Sequence, residues 1–205
     1  MIQSSDQKDP LVIVNLQDVL SADSTSSDRI LLKPSYQIPE SCWQNWLSAW
    51  LKFLEPPIID RKICEVTLRF TGDREIQQLN AKYRNFDRPT DVLAFAALEA
   101  DLQRPPIADF LDEPLYLGDI IISVETASDR AKQLKRSLIE EVIWLAAHGF
   151  LHLLGWDHPD EQSLNEMIFQ QETLLKIESL KNYLGEINYR ETNKSRATYP
   201  SYRTF

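Results

Sequence analysis

The three histidines of this chain stand close together, in the segment 148–158. His148 and His152 are four positions apart, so in a helix both imidazoles leave the same face one turn from each other. Gly155 suits a residue that ends a helix with a positive φ, and such an ending turns the chain so that His158 can return toward the other two. Three imidazole nitrogens that meet at one point leave a fourth tetrahedral position open, as in a catalytic zinc site. The spacing therefore predicts one metal ion held by all three histidines.

The segment that carries the first two histidines is apolar on nearly all sides between residues 138 and 154. A helix of this kind is buried, and a buried imidazole needs a partner because an unsatisfied buried polar group costs about 1–3 kcal/mol. For any single histidine, a hydrogen bond to backbone or to a carboxylate is the alternative explanation. Glu141, two turns before His148, and Asp157, next to His158, are candidates to accept the outer N–H of a ligating imidazole. Each could instead be a capping or surface carboxylate.

The spacing HxxxHxxGxxH also occurs in the metzincin proteases, where a glutamate directly after the first histidine acts as the general base. Gly149 occupies that position here. The metal ligands are therefore retained, while the residue that would activate water against a peptide bond is missing. A metal-dependent peptidase or other hydrolase is for this reason the second hypothesis and not the first.

Length, composition and charge limit the class of protein. The 205 residues correspond to one domain, and 43% hydrophobic residues are enough for a core. No apolar stretch is long enough for a transmembrane helix and the first residues lack a secretory signal pattern, which predicts a cytoplasmic protein without membrane contact. Cys42 and Cys64 are too far apart for a CxxC metal site and are predicted to pack in the core. The net charge of −9 fits nucleic acid poorly when it is averaged over the whole chain.

Apolar periodicity predicts the elements that must position the histidines. Four strands are predicted, at 11–14, 63–70, 92–96 and 115–123. Five helices are predicted, at 39–54, 73–84, 124–135, 137–154 and 159–184. The tryptophans in the first of these helices follow helical spacing and are predicted to form a core stripe. Together the elements indicate one α+β domain in which the long apolar helix is the central buried element.

The predicted domain occupies residues 36–184 and has a segment of different character on each side. Residues 1–35 are predicted to be a variable N-terminal segment with one strand. Residues 185–205 lack an apolar pattern and are predicted to be a flexible C-terminal tail. Within the domain, residues 98–114 carry three prolines and five acidic residues and are predicted to be an exposed connection. Asp73 is the predicted N-cap of the second helix.

Three blocks of the sequence resemble the YbeY family of bacterial endoribonucleases, which are rRNA maturation factors. Residues 148–158 read His-Gly-Phe-Leu-His-Leu-Leu-Gly-Trp-Asp-His, where the family carries HGxLHLxGYDH. Residues 79–96 match the family segment LNxxYRxxDxPTDVLSFP, with alanine in place of its serine and its final proline, and residues 117–123 match LGDIxIS. The blocks stand in the family's order, and the resemblance covers roughly residues 40–180.

The resemblance implies a single zincin-like α+β domain, with a small mixed four-stranded sheet and about five helices around a buried metal-bearing helix. It implies one zinc ion per chain on His148, His152 and His158. It also implies a single-strand-specific, metal-dependent endoribonuclease that acts in 16S rRNA 3′ end maturation and ribosome quality control. Its partners would be rRNA, other single-stranded RNA and the small ribosomal subunit. A third hypothesis is a non-catalytic ribosome assembly factor in which the zinc is structural.

The resemblance further implies that Arg84 is essential for activity. The planar guanidinium fork of arginine matches phosphate geometry and can stabilise charge that develops on a phosphoryl group. We expect Arg84 to face the metal cleft from the end of the second helix, where the loop 85–89 begins. The alternative is a surface arginine at a helix C-terminus. Trp156 and Phe86 are candidates for base stacking by residue type alone.

Local charge also favours one face of the molecule for RNA. Residues 61–88 hold seven basic and four acidic side chains, and residues 129–136 hold four basic and one acidic. A basic strip on an otherwise acidic protein suits RNA binding on one face, although solvated helix faces give the same pattern.

Overall fold

The computed structural model describes residues 9–20, 36–57, 59, 63–100 and 113–197. The strands are β1 (Leu11–Asp18), β2 (Ile63–Thr71), β3 (Val92–Ala96) and β4 (Leu115–Ser123). Within the described residues they form one sheet in the order β1-β2-β4-β3. β1 pairs with β2 and β2 with β4 in parallel, whereas β3 runs antiparallel to β4. The predicted small mixed sheet of four strands is therefore confirmed.

Seven helical segments are present in the described part of the chain. They are α1 (Glu40–Leu54), α2 (Asp73–Arg84), α3 (Ala97–Ala100), α4 (Val124–Leu134), α5 (Leu138–Leu153), α6 (Glu161–Leu175) and α7 (Glu178–Ala197). The parallel strand pairs require such crossover connections, because consecutive parallel strands cannot be joined by a tight hairpin. The observed architecture belongs to the predicted α+β class.

α5 is the central buried element, as the sequence predicts. It contacts β3 and β4 on one side and the helices α4 and α6 on others. Its side chains join the main hydrophobic core together with Ile120 of β4. Ile121, the next residue of the strand, packs instead with Ile76 of α2 and Leu93 of β3 in a second small cluster. Because neighbouring strand residues point to opposite faces, α2 and α5 lie on opposite faces of the sheet.

The first strand and the first helix pack against each other at the far edge of the sheet. β1 is longer than the predicted 11–14, because its backbone continues to pair with β2 as far as Asp18 opposite Phe70. The three tryptophans of α1 are buried, which confirms the predicted core stripe. Trp50 also donates its indole N–H to the carbonyl of Leu174 at 3.0 Å, which joins α1 to α6. Cys64 is buried in the core, and Cys42 is partly buried and packs against it, as predicted.

Asp73 is not the N-cap of α2, contrary to the prediction. The cap residue is Gly72, in an extended conformation, and Asp73 is the first residue of the helix. The carboxylate of Asp73 instead accepts hydrogen bonds from the hydroxyls of Ser123 at 2.5 Å and Thr126 at 2.6 Å. Its backbone N–H donates to Glu125 at 2.7 Å. The side chain therefore satisfies donors at the start of α4, which sequence spacing cannot reveal.

The C-terminal part of the chain differs from the prediction in two ways. The single helix predicted at 159–184 is two helices, which are separated at Lys176 and Ile177. The apolar pattern continues across this break because Ile177 also packs on the core. α7 runs to Ala197 and so extends into the predicted flexible tail, for which no helix was expected, while 198–205 lie outside the described residues.

Other expectations fall partly outside the described residues. Of the N-terminal segment 1–35, only residues 9–20 are described, and they contain the predicted strand. Of the predicted exposed connection 98–114, residues 101–112 are not described, and its first residues belong to the short helix α3. Among the helices of the described chain, none is long and apolar enough to cross a membrane.

Candidate metal centre

α5 is fixed at its N-terminus by a capping box. The hydroxyl of Ser137 accepts the backbone N–H of Glu140 at 3.2 Å, and the carboxylate of Glu140 accepts the backbone N–H of Ser137 at 2.8 Å. These two bonds satisfy donors that would otherwise be orphaned at the helix start. The register of α5 is thereby set, and with it the face on which His148 and His152 project.

Gly149 lies where α5 approaches the sheet most closely. A Cβ at this position would stand 2.7 Å from Cγ2 of Ile120 on β4, closer than real Cβ contacts allow. The glycine that replaces the glutamate of the metzincin motif is therefore required by helix–sheet packing. A glutamate cannot enter here unless the buried side chain of Ile120 shifts, which counts against the peptidase hypothesis.

The chain turns back after α5 in the way the glycine predicts. Gly155 has φ of 87°, in the left-handed region that disfavours side chains. The N–H of Gly155 donates to the carbonyl of His152 at 3.0 Å, and that of Trp156 donates to Leu151 at 3.1 Å. The carboxylate of Asp157 then accepts the backbone N–H of His158 at 2.8 Å. This sequence of local bonds returns the third imidazole to the first two.

The three imidazoles converge on one point. The Nε2 atoms of His148 and His152 are 3.2 Å apart. One ligand atom from each of these residues and from His158 lies within 4.8 Å of the others. Zn–N bonds of about 2.0–2.1 Å in tetrahedral geometry place two ligand nitrogens about 3.3 Å from each other. All three side chains are half-buried, so the group can hold a metal ion and leaves one side open to solvent.

The outer nitrogens of two imidazoles have acceptors that fix their tautomers. Nδ1 of His152 lies 2.8 Å from the carbonyl oxygen of Trp156, which can only accept. Nδ1 of His148 lies 3.3 Å from Oε1 of Gln171, whose amide N–H donates to the carbonyl of Trp144 at 2.8 Å. Both Nδ1 atoms must therefore donate, and both Nε2 lone pairs point at the shared centre. The residues present fit a bound cation of the kind that imidazole ligates.

Burial keeps these imidazoles neutral. Desolvation, and after it the neighbouring imidazole of His152, lowers the pKa of His148 to about 4. Burial likewise lowers the pKa of His152, with a further contribution from His158. Neutral imidazole is the form that ligates a metal, so the pair is ready for a cation at neutral pH.

The candidate partners from the sequence do not occupy the outer positions. Glu141 is two turns, or about 10 Å, along α5 from His148, too far to reach its ring. Its carboxylate is fully buried and forms ion pairs with Arg130, at 3.3 Å, and with Arg136. Asp157 contacts the backbone of its neighbour and no imidazole nitrogen among the described contacts. Glu141 therefore forms ion pairs with two arginines and, contrary to what the sequence suggested, does not accept the N–H of an imidazole.

The acceptors at the outer nitrogens of His148 and His152 are Gln171 and the carbonyl of Trp156. The sequence analysis predicted neither of them. Gln171 lies on α6, 23 positions after His148, and is 1% exposed. A single glutamine in an amphipathic helix has no local signal for this role. A backbone carbonyl has no side-chain signal at all, although the turn predicted at Gly155 does bring it near.

Arg84 is the last residue of α2 and lies near the histidines. Its charge contributes to the lowered pKa of His152. The side chain is exposed, and it forms no ion pair or hydrogen bond within the part of the chain that is described. Asn85 ends the helix in the left-handed conformation, with φ of 62°. The expected position of Arg84 beside the cleft stays a prediction.

The basic strip is smaller than the sequence suggests. Arg130 and Arg136 are used by Glu141 inside the fold, and Lys132 pairs with Asp129 at 2.9 Å. Arg69 pairs with Glu75 at 2.6 Å. Four exposed basic side chains without an ion pair in the described residues lie on α2 and the loop after it, at Arg74, Lys82, Arg84 and Arg88. Lys135 and Lys181 are also exposed without such a pair, but they stand apart from this group in the chain.

A mixed sheet supports a buried helix, and on and after this helix three imidazoles converge. The fold and this site define an α+β protein with a half-buried group of three histidines that could hold a metal ion. The family model for Endoribonuclease YbeY matches residues 31–178. The chain belongs to this family. It is 54% identical over 136 residues to the Endoribonuclease YbeY of Synechocystis sp., with 66% of this chain and 75% of that protein covered. It is 48% identical over 189 residues to that of Trichodesmium erythraeum, with 89% of this chain and 98% of that protein covered.

Proposed function

We propose that this chain is a zinc-dependent, single-strand-specific endoribonuclease of the cytoplasm that acts in 16S rRNA 3′ end maturation and ribosome quality control. It would meet its substrate on the small ribosomal subunit. Membership of the endoribonuclease family supports RNA as the substrate. The observation that carries the proposal is the convergence of three imidazoles on one point. Arg84, which has no ion pair in the described chain, contributes to the lowered pKa of His152 and so supports a cation near this site.

The donor set supports zinc as the ion, with one per chain. Three neutral imidazoles without a thiolate or carboxylate suit zinc, although nickel and cobalt bind similar sets. His148, His152 and His158 would hold it, and their outer partners orient the rings. When bound, the metal supplies Lewis-acid polarisation of a phosphoryl oxygen and a bound water of lowered pKa. A structural zinc has four protein ligands, and the open side here disfavours the hypothesis of a non-catalytic assembly factor.

Arg84 would hold the reacting phosphate. Its guanidinium is exposed and has no ion pair to break within the described chain. Two parallel N–H donors can grip two phosphate oxygens and stabilise the charge that builds on them during cleavage. Because Arg84 stands at a helix end held by Asn85, the side chain starts from a fixed backbone position.

The test compares substrates on one metal-loaded preparation whose metal content is known from elemental analysis. Cleavage of single-stranded RNA, weaker cleavage of the same sequence in a duplex, and no cleavage of an unfolded protein are expected. His152→Ala, with folding checked by melting temperature, should lose the activity. Cleavage of the unfolded protein alone would instead support the hydrolase alternative, and full RNA cleavage by His152→Ala would contradict the metal-dependent mechanism.

A further inference from the structure

We propose that Tyr83 and Phe86 form a stacking platform on both sides of Arg84 in the chain, and that it holds unpaired nucleobases of a single-stranded RNA. The inference rests on the proposed function and names what the protein holds beside the reacting phosphate. A platform for base faces would also explain a preference for single strands, because bases inside a duplex are already stacked.

Both rings are open to solvent although they are large and apolar. Tyr83 is 53% exposed and Phe86 is 58% exposed. The edge-to-face contact of Tyr83 with Phe95 of β3, with ring centroids 5.1 Å apart, anchors the tyrosine without covering it. These two aromatic side chains are three positions apart, and about half of each remains uncovered by the rest of the described chain. Their exposed ring surface is therefore available to a ligand.

Each ring carries a cation. Nζ of Lys82 lies 4.8 Å from the ring centroid of Tyr83, and Cζ of Arg88 lies 5.7 Å from that of Phe86. Neither cation has an ion pair within the described residues. A nucleotide has a flat π surface joined to a phosphate. The cation over each ring can pair with the phosphate, and the ring surface that stays exposed can take the base. A basic protein partner would be repelled by the same charges, which favours RNA as the occupant.

The loop that presents Phe86 is held firmly. The N–H of Phe86 donates to the carbonyl of Asn80 at 3.3 Å, and the buried side-chain amide of Asn80 donates to the carbonyl of Arg88 at 2.9 Å. Gln77 donates to the carboxylate of Asp87 at 2.9 Å. A surface that is already ordered binds with a smaller loss of conformational entropy than one that must order on binding.

The platform adjoins the metal centre through Arg84. This residue directly follows Tyr83 and stands two positions before Phe86. A phosphate held by Arg84 would therefore have aromatic ring surface on residues just before and just after it in the chain, which can stack on the bases of the neighbouring nucleotides. The contacts are to base faces, so the expected binding tolerates many sequences.

Affinity for RNA is the quantity that tests the platform. A single-stranded RNA oligonucleotide that contains one 2-aminopurine is mixed with full-length protein, and the fluorescence quench is followed by stopped flow before cleavage accumulates. Phe86→Ala should weaken binding about tenfold, the scale of one lost base–aromatic stack. Phe86→Leu should weaken it comparably, whereas Phe86→Tyr should stay within about twofold of wild type because it keeps the π face.

The matched control is Phe53→Ala. Phe53 is 53% exposed and lies on α1, which packs at the far edge of the sheet. Its removal should leave RNA affinity unchanged. Tyr83→Ala, with folding checked by melting temperature, should weaken binding in the same way as Phe86→Ala.

If the wild-type protein binds and cleaves RNA, two results would overturn the platform alone. The first is wild-type affinity in both alanine variants, and the second is full affinity in Phe86→Leu. A wild-type protein that neither binds nor cleaves single-stranded RNA would overturn the proposed function and the platform together. The two failures are thus distinguished by the behaviour of the wild-type protein.

Discussion

Oε1 of Gln171 lies 3.3 Å from Nδ1 of His148, and this contact joins α6 to the histidine group on α5. The same amide donates to the carbonyl of Trp144 at 2.8 Å, so it cannot rotate without the loss of that bond. Gln171 is 1% exposed, so solvent does not compete for its hydrogen bonds. The glutamine therefore fixes both the tautomer and the orientation of the His148 imidazole, a proposed metal ligand.

Gln171→Leu is expected to weaken metal binding about 10- to 100-fold, because the imidazole of His148 loses the acceptor that orients it. Competition with a chelator of known affinity measures the change. Gln170→Leu is the control, since it alters the adjacent, half-exposed glutamine of the same helix. Equal metal affinity in both variants would mean that Gln171 has only a packing role.

Gly149→Ala is expected to destabilise the fold by about 1–3 kcal/mol, because the added Cβ overlaps Ile120. Chemical denaturation measures the loss. Gly185→Ala in α7 is the matched control, since a Cβ at this position would meet nothing within 4 Å, and it should gain up to about 1 kcal/mol from helix propensity. A gain in stability at both positions would show that β4 yields to the extra methyl group.

Arg84→Lys is expected to reduce RNA cleavage about tenfold and Arg84→Ala about 100-fold, because lysine keeps the charge without the two-pronged fork and alanine keeps neither. Steady-state cleavage of a single-stranded RNA measures both. Metal content and melting temperature should stay at wild-type values, since the side chain has no ion pair in the described fold. Arg74→Lys, an exposed arginine at the other end of α2, is the control and should cleave normally.

Glu141→Ala is expected to lower the free energy of unfolding by about 3 kcal/mol, because it leaves Arg130 and Arg136 without their buried partner. Loss of one partner of a buried ion pair usually costs about 3–5 kcal/mol. The lower end of this range applies, since both arginines keep some solvent contact. Metal stoichiometry of the folded variant should be unchanged. A folded Glu141→Ala that has lost the metal would restore this residue as a support of the imidazoles.

Removal of the metal is expected to lower the melting temperature by roughly 5–10 °C. Binding at about 100 times the dissociation constant contributes about 2.7 kcal/mol, and each kcal/mol moves the midpoint of a chain of this size by about 2–4 °C. Differential scanning calorimetry with and without a chelator measures the shift. His148→Ala should melt at the same temperature in both conditions, and a shift in that variant would point to a second site.

Much of the fold follows from local patterns. The four strands, the buried α5 and the tryptophan stripe of α1 are confirmed because apolar periodicity reports directly which faces must leave water. The same signal fails at the break near Lys176, where apolar residues continue through a change of direction. It also fails in the second half of α7, whose polar composition carries no periodic apolar face to detect.

The convergence of the three histidines follows from the sequence alone, because all of them and the glycine that turns the chain stand within one short segment. Local helix geometry then suffices to bring the nitrogens together. Only the tertiary structure decided what supports and surrounds them. Gln171, the Ile120 contact that demands Gly149, and the pairing of Glu141 with two arginines join residues from different helices and strands. Contacts between distant elements depend on packing, and packing has no signature in the spacing of residues along one chain.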